Sequence, residues 1–207
     1  MDAKIKIAEI RKIQQDKSRW QECFAFICSC LDDIETQPKA IWMIGEMCFA
    51  FPELLTAPLF EQLKTLLNST NVLLHGRAIC ALGRIGRSNG DVAKSTLDKL
   101  LLGLQLPESE IRMKTIWAAE NIATSYPEFF SGKMQLFVPC LYDKNERVRI
   151  EAPEIFRVVG KRKPELTIPF ADILQSITQN DTNRVVRIHA AGALKAMKKT
   201  NLEKESI

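Results

Sequence analysis

The chain has 207 residues, of which 46% are hydrophobic and 26% are charged, and its net charge is +4. This length supports a sizeable core, and the charge falls short of a dedicated nucleic-acid-binding domain, for which a pI above about 9 and clustered charge are expected. No apolar run approaches the ~20 residues of a membrane-spanning helix, and charges between Lys4 and Lys12 exclude a secretory signal at the start of the sequence.

Two sets of residues recur along the chain at intervals of 37 or 38 positions. The first set begins at Gly45-Glu46-Met47, and the second begins at Pro52-Glu53-Leu54. The first set continues at Gly83, Glu120, Arg157 and Lys195, and the second continues at Gly90-Asp91, Pro127-Glu128 and Pro164-Glu165. A fixed period of this size predicts a stack of similar supersecondary units.

Each unit is predicted to contain two helices. In the last unit Val186, Ala190, Ala193, Leu194 and Met197 have the spacing of one face of an amphipathic helix, and the preceding units repeat this stripe. The Pro-Glu pair is then expected to open a second helix, because proline fits the first helical turn and glutamate suits the positive end of the helix dipole. The expected second helices cover about 54–68, 91–105, 128–142 and 166–179, after an N-terminal pair near 3–15 and 18–31.

The sequence therefore predicts an all-α fold, an α-α superhelix of about five two-helix repeats that forms one domain over residues 1–207. The expected units are about 1–35, 36–69, 70–106, 107–143 and 144–181, with a terminal capping helix at 184–199.

The six cysteines form no CxxC pair, and no histidine lies near the group from Cys23 to Cys30, so no metal site and no cofactor is predicted. Buried, reduced thiols are the expected state, which favours a cytoplasmic protein. The sequence also contains no GxSxG, GxGxxG, Walker or HExxH motif, and no catalytic residues are predicted.

The turn that precedes each of the last two units resembles a HEAT repeat. An aspartate is followed by a Val-Arg pair and then by a helix rich in small residues, as in Asp143…Val148-Arg149 and Asp181…Val186-Arg187. The stretch from Arg187 to Ala196 is similar to the PBS-lyase type of HEAT-like repeat. The resemblance implies a ladder in which Arg149 and Arg187 pair with Asp143 or Asp181 and hold the units together. An alternative is that this arginine row contacts an anionic ligand.

Trp42 and Trp117 occupy the same position of the repeat, about 140° from the core stripe. They face either a neighbouring unit or solvent, so they are candidates for packing or for a contact with a partner. Basic residues cluster at the turns and could form an anion-binding stripe, or they could simply cap helix ends. The stripe consists of Arg84, Arg87, Lys161, Arg162, Lys163 and Lys199.

In HEAT proteins the second helices line the concave face, which implies a mixed-charge surface for a protein partner here. The candidate contacts on these helices are Gln62, Lys64, Lys99, Lys133, Gln135 and Gln175. The predicted function is a non-catalytic protein-binding scaffold without membrane or metal contacts. The alternatives are a nucleic-acid-binding protein that resembles the alkylpurine DNA glycosylases, with Trp117 and Glu120 as candidate residues, and a lyase subunit or chaperone of the PBS-lyase type.

Overall fold

The apolar stripes of the sequence become helices that pack in pairs. The computed structural model describes the backbone of residues 2–204 and the side chains of residues 2–197, and these residues contain no strand. They divide into two compact units, residues 1–100 and residues 101–207. The first unit contains α1 (Ala3–Gln15), α2 (Trp20–Ser29), α3 (Gln37–Ala50), α4 (Ala57–Thr65), α5 (Val72–Gly86) and α6 (Gly90–Leu101). The second contains α7 (Ser109–Ser125), α8 (Val138–Leu141), α9 (Glu146–Gly160), α10 (Ala171–Asn180) and α11 (Arg184–Lys204).

The first helices of the repeats are α3, α5, α7, α9 and α11, and asparagine side chains cap the starts of α5, α9 and α11. Asn71 accepts hydrogen bonds from the backbone N–H groups of Leu73 and Leu74, at 3.0 and 3.2 Å. Asn145 accepts one from the N–H of Arg147 at 3.0 Å. Asparagine is among the best residues for this role, because its side chain replaces a partner that the first turn lacks.

Small residues allow the first helices of the first unit to touch backbone to backbone. A Cβ atom built on Gly45 would lie only 2.7 Å from the Cα atom of Ala81, so α3 and α5 meet where neither carries a bulky side chain. In the second unit α9 packs along both α7 and α11. The core beneath is fully buried and includes Phe137 and Phe156. First helices therefore form a closely packed layer within each unit.

The prediction that Pro-Glu opens each second helix is wrong in three repeats. Pro52–Leu54, Pro127–Phe130 and Pro164–Leu166 form short 3₁₀ turns, and the α-helices begin later, at α4, α8 and α10. The reason is a second proline in each segment. Pro58, Pro139 and Pro169 lack the N–H donor that would bond to the residue four positions earlier, so a continuous α-helix cannot run through them from the Pro-Glu pair.

The segment 128–142, which was expected to be one helix, is the least continuous of the second helices. It consists of the turns Pro127–Phe130 and Met134–Phe137, followed by the four-residue α8. Gly132 lies between the two turns with a φ of +70°, a backbone conformation that a helix cannot contain. The predicted helix over 91–105 is correct to Leu101 and then tightens into a 3₁₀ turn, and the capping helix extends beyond residue 199 to Lys204.

None of the described helices is both long and apolar enough to cross a bilayer. The prediction that the whole chain forms a single domain, with the repeat boundaries given above, stays a prediction.

Candidate functional site

Each first helix keeps one accessible stripe, and the stripes within one unit are called here the first-helix face of that unit. On α3 the partly exposed stripe is Lys39, Trp42, Glu46 and Phe49, and on α5 it is Arg77, Cys80 and Arg84, followed by Arg87 just after the helix. In the second unit it contains Lys114, Trp117, Glu120 and Thr124 on α7, and Glu151, Glu154 and Arg157 on α9, followed by Lys161 just after the helix. Most of the remaining residues in the middle of these helices are buried.

Trp42 and Trp117 lie on the first-helix faces of the first and the second unit, and neither is buried in the core. Among the described residues, no acceptor lies within hydrogen-bonding distance of either indole N–H. Trp20 provides the contrast, since it is only 4% exposed and its Nε1 donates to the carbonyl oxygen of Ile13 at 2.9 Å. A half-exposed tryptophan with an unused donor is typical of protein-binding surfaces.

The charged groups on the first-helix face of the first unit are mainly basic. Arg84 forms a two-pronged ion pair with Glu46, at 3.1 Å from Nε and 3.2 Å from the terminal nitrogen. Its guanidinium also lies 4.2 Å from the ring centre of Phe49. Lys39 and Arg77 have no carboxylate within ion-pair distance among the described residues.

The first-helix face of the second unit carries both signs of charge, and its carboxylates are Glu120, Glu151 and Glu154. Burial raises the pKa of Glu120 to about 8, and the carboxylates of Glu151 and Glu154 add to this rise. The Oε1 atom of Glu120 is enclosed and has no hydrogen-bond partner among the described residues. Glu154 accepts from Arg157 at 2.6 Å and lies 3.3 Å from Nδ1 of His189. Among the described residues, neither Glu120 nor Glu151 has a cation within ion-pair distance, and Glu120 is the one whose pKa is raised most by burial.

The predicted arginine–aspartate ladder residues connect one repeat to the turn of the next. The Nε of Arg149 donates to Asp181 at 3.0 Å, and its NH1 donates to the carbonyl oxygen of Asp143 at 2.8 Å. Arg187 donates to the carbonyl oxygens of Asp181 and Thr182, at 2.7 and 3.2 Å. Asp143, Asp181 and the two arginines thus lie together at the repeat turns.

Arg112 extends this ladder, although the sequence reasoning did not include it. It binds Asp143 through two hydrogen bonds of 2.6 and 2.8 Å and donates to the carbonyl oxygens of Leu106 and Pro107. Burial tends to raise the pKa of Asp143, but Arg112 and the N–H of Asn145 outweigh it and hold the pKa low. Leu106 stands where later turns have aspartate, and its backbone carbonyl oxygen accepts a hydrogen bond from Arg112.

A cavity of about 490 Å³ opens beside the ladder in the second unit. Its lining includes Tyr142, Lys144, Ser176 and Asn180, with Arg149 and Asp181 on one wall. Those two charges already pair with each other, so the charged lining residue without an ion pair among the described residues is the exposed Lys144.

The other predicted site residues are scattered. Arg87 lies 5.6 Å from the ring of Phe49, Arg162 donates to the carbonyl oxygen of Thr124, and Lys163 lies 4.0 Å from Glu165. Lys161 is exposed, and the side chain of Lys199 lies outside the described residues. On the second helices Lys64 pairs with Glu61 at 2.8 Å, and Gln135 and Gln175 make local hydrogen bonds. Gln62 is exposed, and Lys99 and Lys133 are partly buried.

The cysteines are free thiols. Cys30, Cys48 and Cys140 are buried, while Cys23, Cys28 and Cys80 are partly exposed. Burial raises the pKa of Cys48 to about 12 and that of Cys140 to about 11, so both are protonated and poorly nucleophilic at neutral pH. Among the described residues no three His, Cys, Asp or Glu side chains are grouped as metal ligands.

Comparison with solved structures identifies the fold. An engineered protein with 21% identity aligns over 84% of this chain and 78% of its own, with a TM-score of 0.68. A designed armadillo repeat protein in complex with the peptide (KR)4 has 21% identity, covers 92% of both chains and gives a TM-score of 0.66. A further designed armadillo repeat protein has 19% identity over 92% of this chain and 86% of its own, with a TM-score of 0.67.

This chain has the all-helical, armadillo-type repeat fold. No protein-family model and no curated protein matches the sequence, so the PBS-lyase type of HEAT repeat remains a resemblance. At identities near 20% the likeness concerns the fold, and function must be argued from the surface.

Proposed function

We propose that this chain is a non-catalytic scaffold that binds a protein partner on its first-helix faces. The observation that carries the proposal is the pair of half-exposed tryptophans, Trp42 and Trp117, at equivalent positions of these faces. Each has an apolar ring and an unused N–H donor, which is the combination that dominates binding energy in protein interfaces.

The charges around the tryptophans support a protein partner more than a nucleic acid. Carboxylates lie on the same faces, namely Glu46 in the first unit and Glu120, Glu151 and Glu154 in the second. This mixture of charges suits a protein surface better than the uniformly negative phosphate backbone of a nucleic acid. The basic turn residues also have local partners, such as Glu46 for Arg84, which weakens the nucleic-acid alternative.

The similar structures agree with this choice. One designed armadillo repeat protein with the same fold is in complex with a peptide. Repeat folds in general present a continuous surface built from equivalent positions. The second-helix residues named from the sequence remain the competing surface for the same function.

The proposal is tested by comparing two double variants. Trp42→Ala with Trp117→Ala removes the two rings from the first-helix faces, and Gln62→Ala with Gln175→Ala alters exposed residues of the second helices. Each variant and the wild type would be immobilised, and partners from the native cell would be quantified by mass spectrometry.

We expect the variant that lacks both tryptophans to lose the specific partner, since a buried interface tryptophan contributes about 2 kcal/mol or more to the binding free energy. The variant that lacks both glutamines should retain the partner. If the tryptophan variant kept the partner and the glutamine variant lost it, the partner would bind the second helices and not the first-helix faces. Circular dichroism of both variants checks that neither change unfolds the protein.

A further inference from the structure

Three cations from three packed helices lie side by side in the first unit. Arg11 is on α1, Lys39 on α3 and Arg77 on α5, and α3 packs against both α1 and α5. Lys39 and Arg77 hold the same position of the repeat, 38 residues apart. These three residues are called here the cationic row.

The members of the cationic row lack carboxylate partners among the described residues. The Nε atom of Arg77 is buried and makes no hydrogen bond there. The ammonium group of Lys39 has only the neutral amide of Gln14, at 3.5 Å. Other cations of the same unit are paired, at 3.1 Å for Lys6 with Asp33, 3.2 Å for Arg19 with Glu9 and 3.1 Å for Arg84 with Glu46. Lys39 and Arg77 differ from these three cations, because neither has a carboxylate within ion-pair distance among the described residues.

The positive charges of Arg11, Lys39 and Arg77 also repel one another. The pKa of Lys39 is lowered, first by partial burial and then by the positive charges of Arg11 and Arg77. A partly buried arginine nitrogen without an acceptor adds a further unfavourable contribution. An anion bound at the accessible ends of these side chains would relieve the repulsion between the three positive charges.

We propose that Arg11, Lys39 and Arg77 bind the carboxylates of an extended acidic segment of the protein partner. Packed helices lie about 8–10 Å apart, and an extended chain advances about 3.3 Å per residue. Acidic side chains about three residues apart therefore match the row. Trp42 lies one helical turn from Lys39 on α3 and provides an apolar contact for the intervening residues.

A single phosphate or a nucleic acid fits the row less well. Cations at helix spacing are too far apart to converge on one small anion, and a nucleic-acid strand would carry dense charge past Glu46, which lies on the same stripe as Lys39 and Trp42. This inference rests on the proposed function, because it specifies the chemistry of the partner on that face.

The test measures the binding of a labelled peptide by fluorescence anisotropy. The probe is a peptide of about twelve residues with glutamate at every third position, separated by glycine and serine. The control probe has lysine in place of glutamate. Wild type would be compared with Lys39→Gln plus Arg77→Gln, and with Lys12→Gln plus Lys94→Gln. The second pair removes the same charge from exposed positions of the same unit.

We expect wild type to bind the acidic peptide and not the basic one, more tightly at about 20 mM than at about 150 mM salt. The Lys39→Gln plus Arg77→Gln variant should bind at least about tenfold more weakly, because charge-assisted contacts to a partly buried row are lost. The control variant should stay within about twofold. Thermal melting confirms that both variants fold.

The inference would be overturned if wild type did not bind the acidic peptide at low salt. It would also be overturned if both variants lost affinity for the peptide equally. Tighter binding of a single-stranded oligonucleotide of similar length would also overturn it, as would displacement of the peptide by inorganic phosphate at millimolar concentration.

The inference and the proposed function fail in different ways. If Lys39→Gln plus Arg77→Gln keeps the native partner that the tryptophan variant loses, the function stands and the acidic segment is wrong. If the row binds the acidic peptide but the tryptophan variant keeps its partner, the proposed function fails.

Discussion

The carboxyl group of Glu120 is held where its ionised form is disfavoured. Its pKa is raised to about 8 by burial and by Glu151 and Glu154, against an ordinary value of 4.5, while Arg157 acts in the opposite direction. The folded protein therefore binds this proton more tightly than the unfolded chain. The resulting stabilisation is complete below about pH 4.5 and is lost as the pH rises to about 8.

Glu120→Gln should make the protein more stable at high pH. The amide keeps the shape of the protonated carboxyl group and cannot ionise. The free energy of unfolding of the variant at pH 8 should therefore be higher than that of the wild type by on the order of a few kcal/mol. Near pH 4.5 the two should be alike. Chemical unfolding across this pH range measures the difference, with the exposed Glu128→Gln as a control. If the free energies of unfolding of Glu120→Gln and wild type differed by the same amount at every pH, the raised pKa of Glu120 would be contradicted.

Arg149 illustrates a residue whose role is to connect repeats. Its side chain is 18% exposed and that of its partner Asp181 is 10% exposed, so removing the guanidinium leaves a carboxylate largely buried without its cation. We expect Arg149→Ala to destabilise the protein by about 3 kcal/mol. The exposed Arg147→Ala on the same helix should change stability by less than about 0.5 kcal/mol. Equal melting temperatures for the two variants would show that the ladder contributes nothing.

At the level of helices, close packing depends on glycine at particular contacts. A Cβ atom on Gly45 would lie 2.7 Å from the Ala81 backbone, whereas one on Gly192 would meet only the Cδ atom of Arg157, at 3.6 Å. Both glycines lie within helices, α3 and α11, so the same substitution is expected to have opposite effects.

Gly45→Ala should destabilise the protein by about 1–3 kcal/mol, because α3 and α5 must separate. Gly192→Ala should be neutral or stabilising by up to about 1 kcal/mol, because alanine favours the helix. Denaturant unfolding of the two variants gives both values. If Gly45→Ala were as stable as Gly192→Ala, close contact between α3 and α5 would not be required.

The sequence predicted the first helices well, because their apolar stripes repeat and the period fixes their register. It failed at the second helices, where the Pro-Glu pair was given more weight than the prolines Pro58, Pro139 and Pro169 that follow. The equivalence of Trp42 and Trp117 could be read from the period alone. The environments of Glu120 and Arg77 could not, since each depends on side chains from adjacent helices.

For the whole chain, a net charge of +4 conceals two differently charged surfaces. The first unit presents the cationic row, and the second presents Glu120, Glu151 and Glu154. The armadillo-type fold explains how equivalent positions of successive repeats come to be exposed in the same way, but the fold alone specifies no ligand. The central claim is therefore that the first-helix faces, and not the second helices, bind the partner.

Site-specific photo-crosslinking in the native cell tests this claim most directly. A photoreactive phenylalanine analogue would be placed at position 42 or 117 on the first-helix faces, and at position 62 or 175 on the second helices. We predict a discrete adduct with one partner protein from positions 42 and 117 and none from positions 62 and 175. Adducts that form only from positions 62 and 175 would contradict the account.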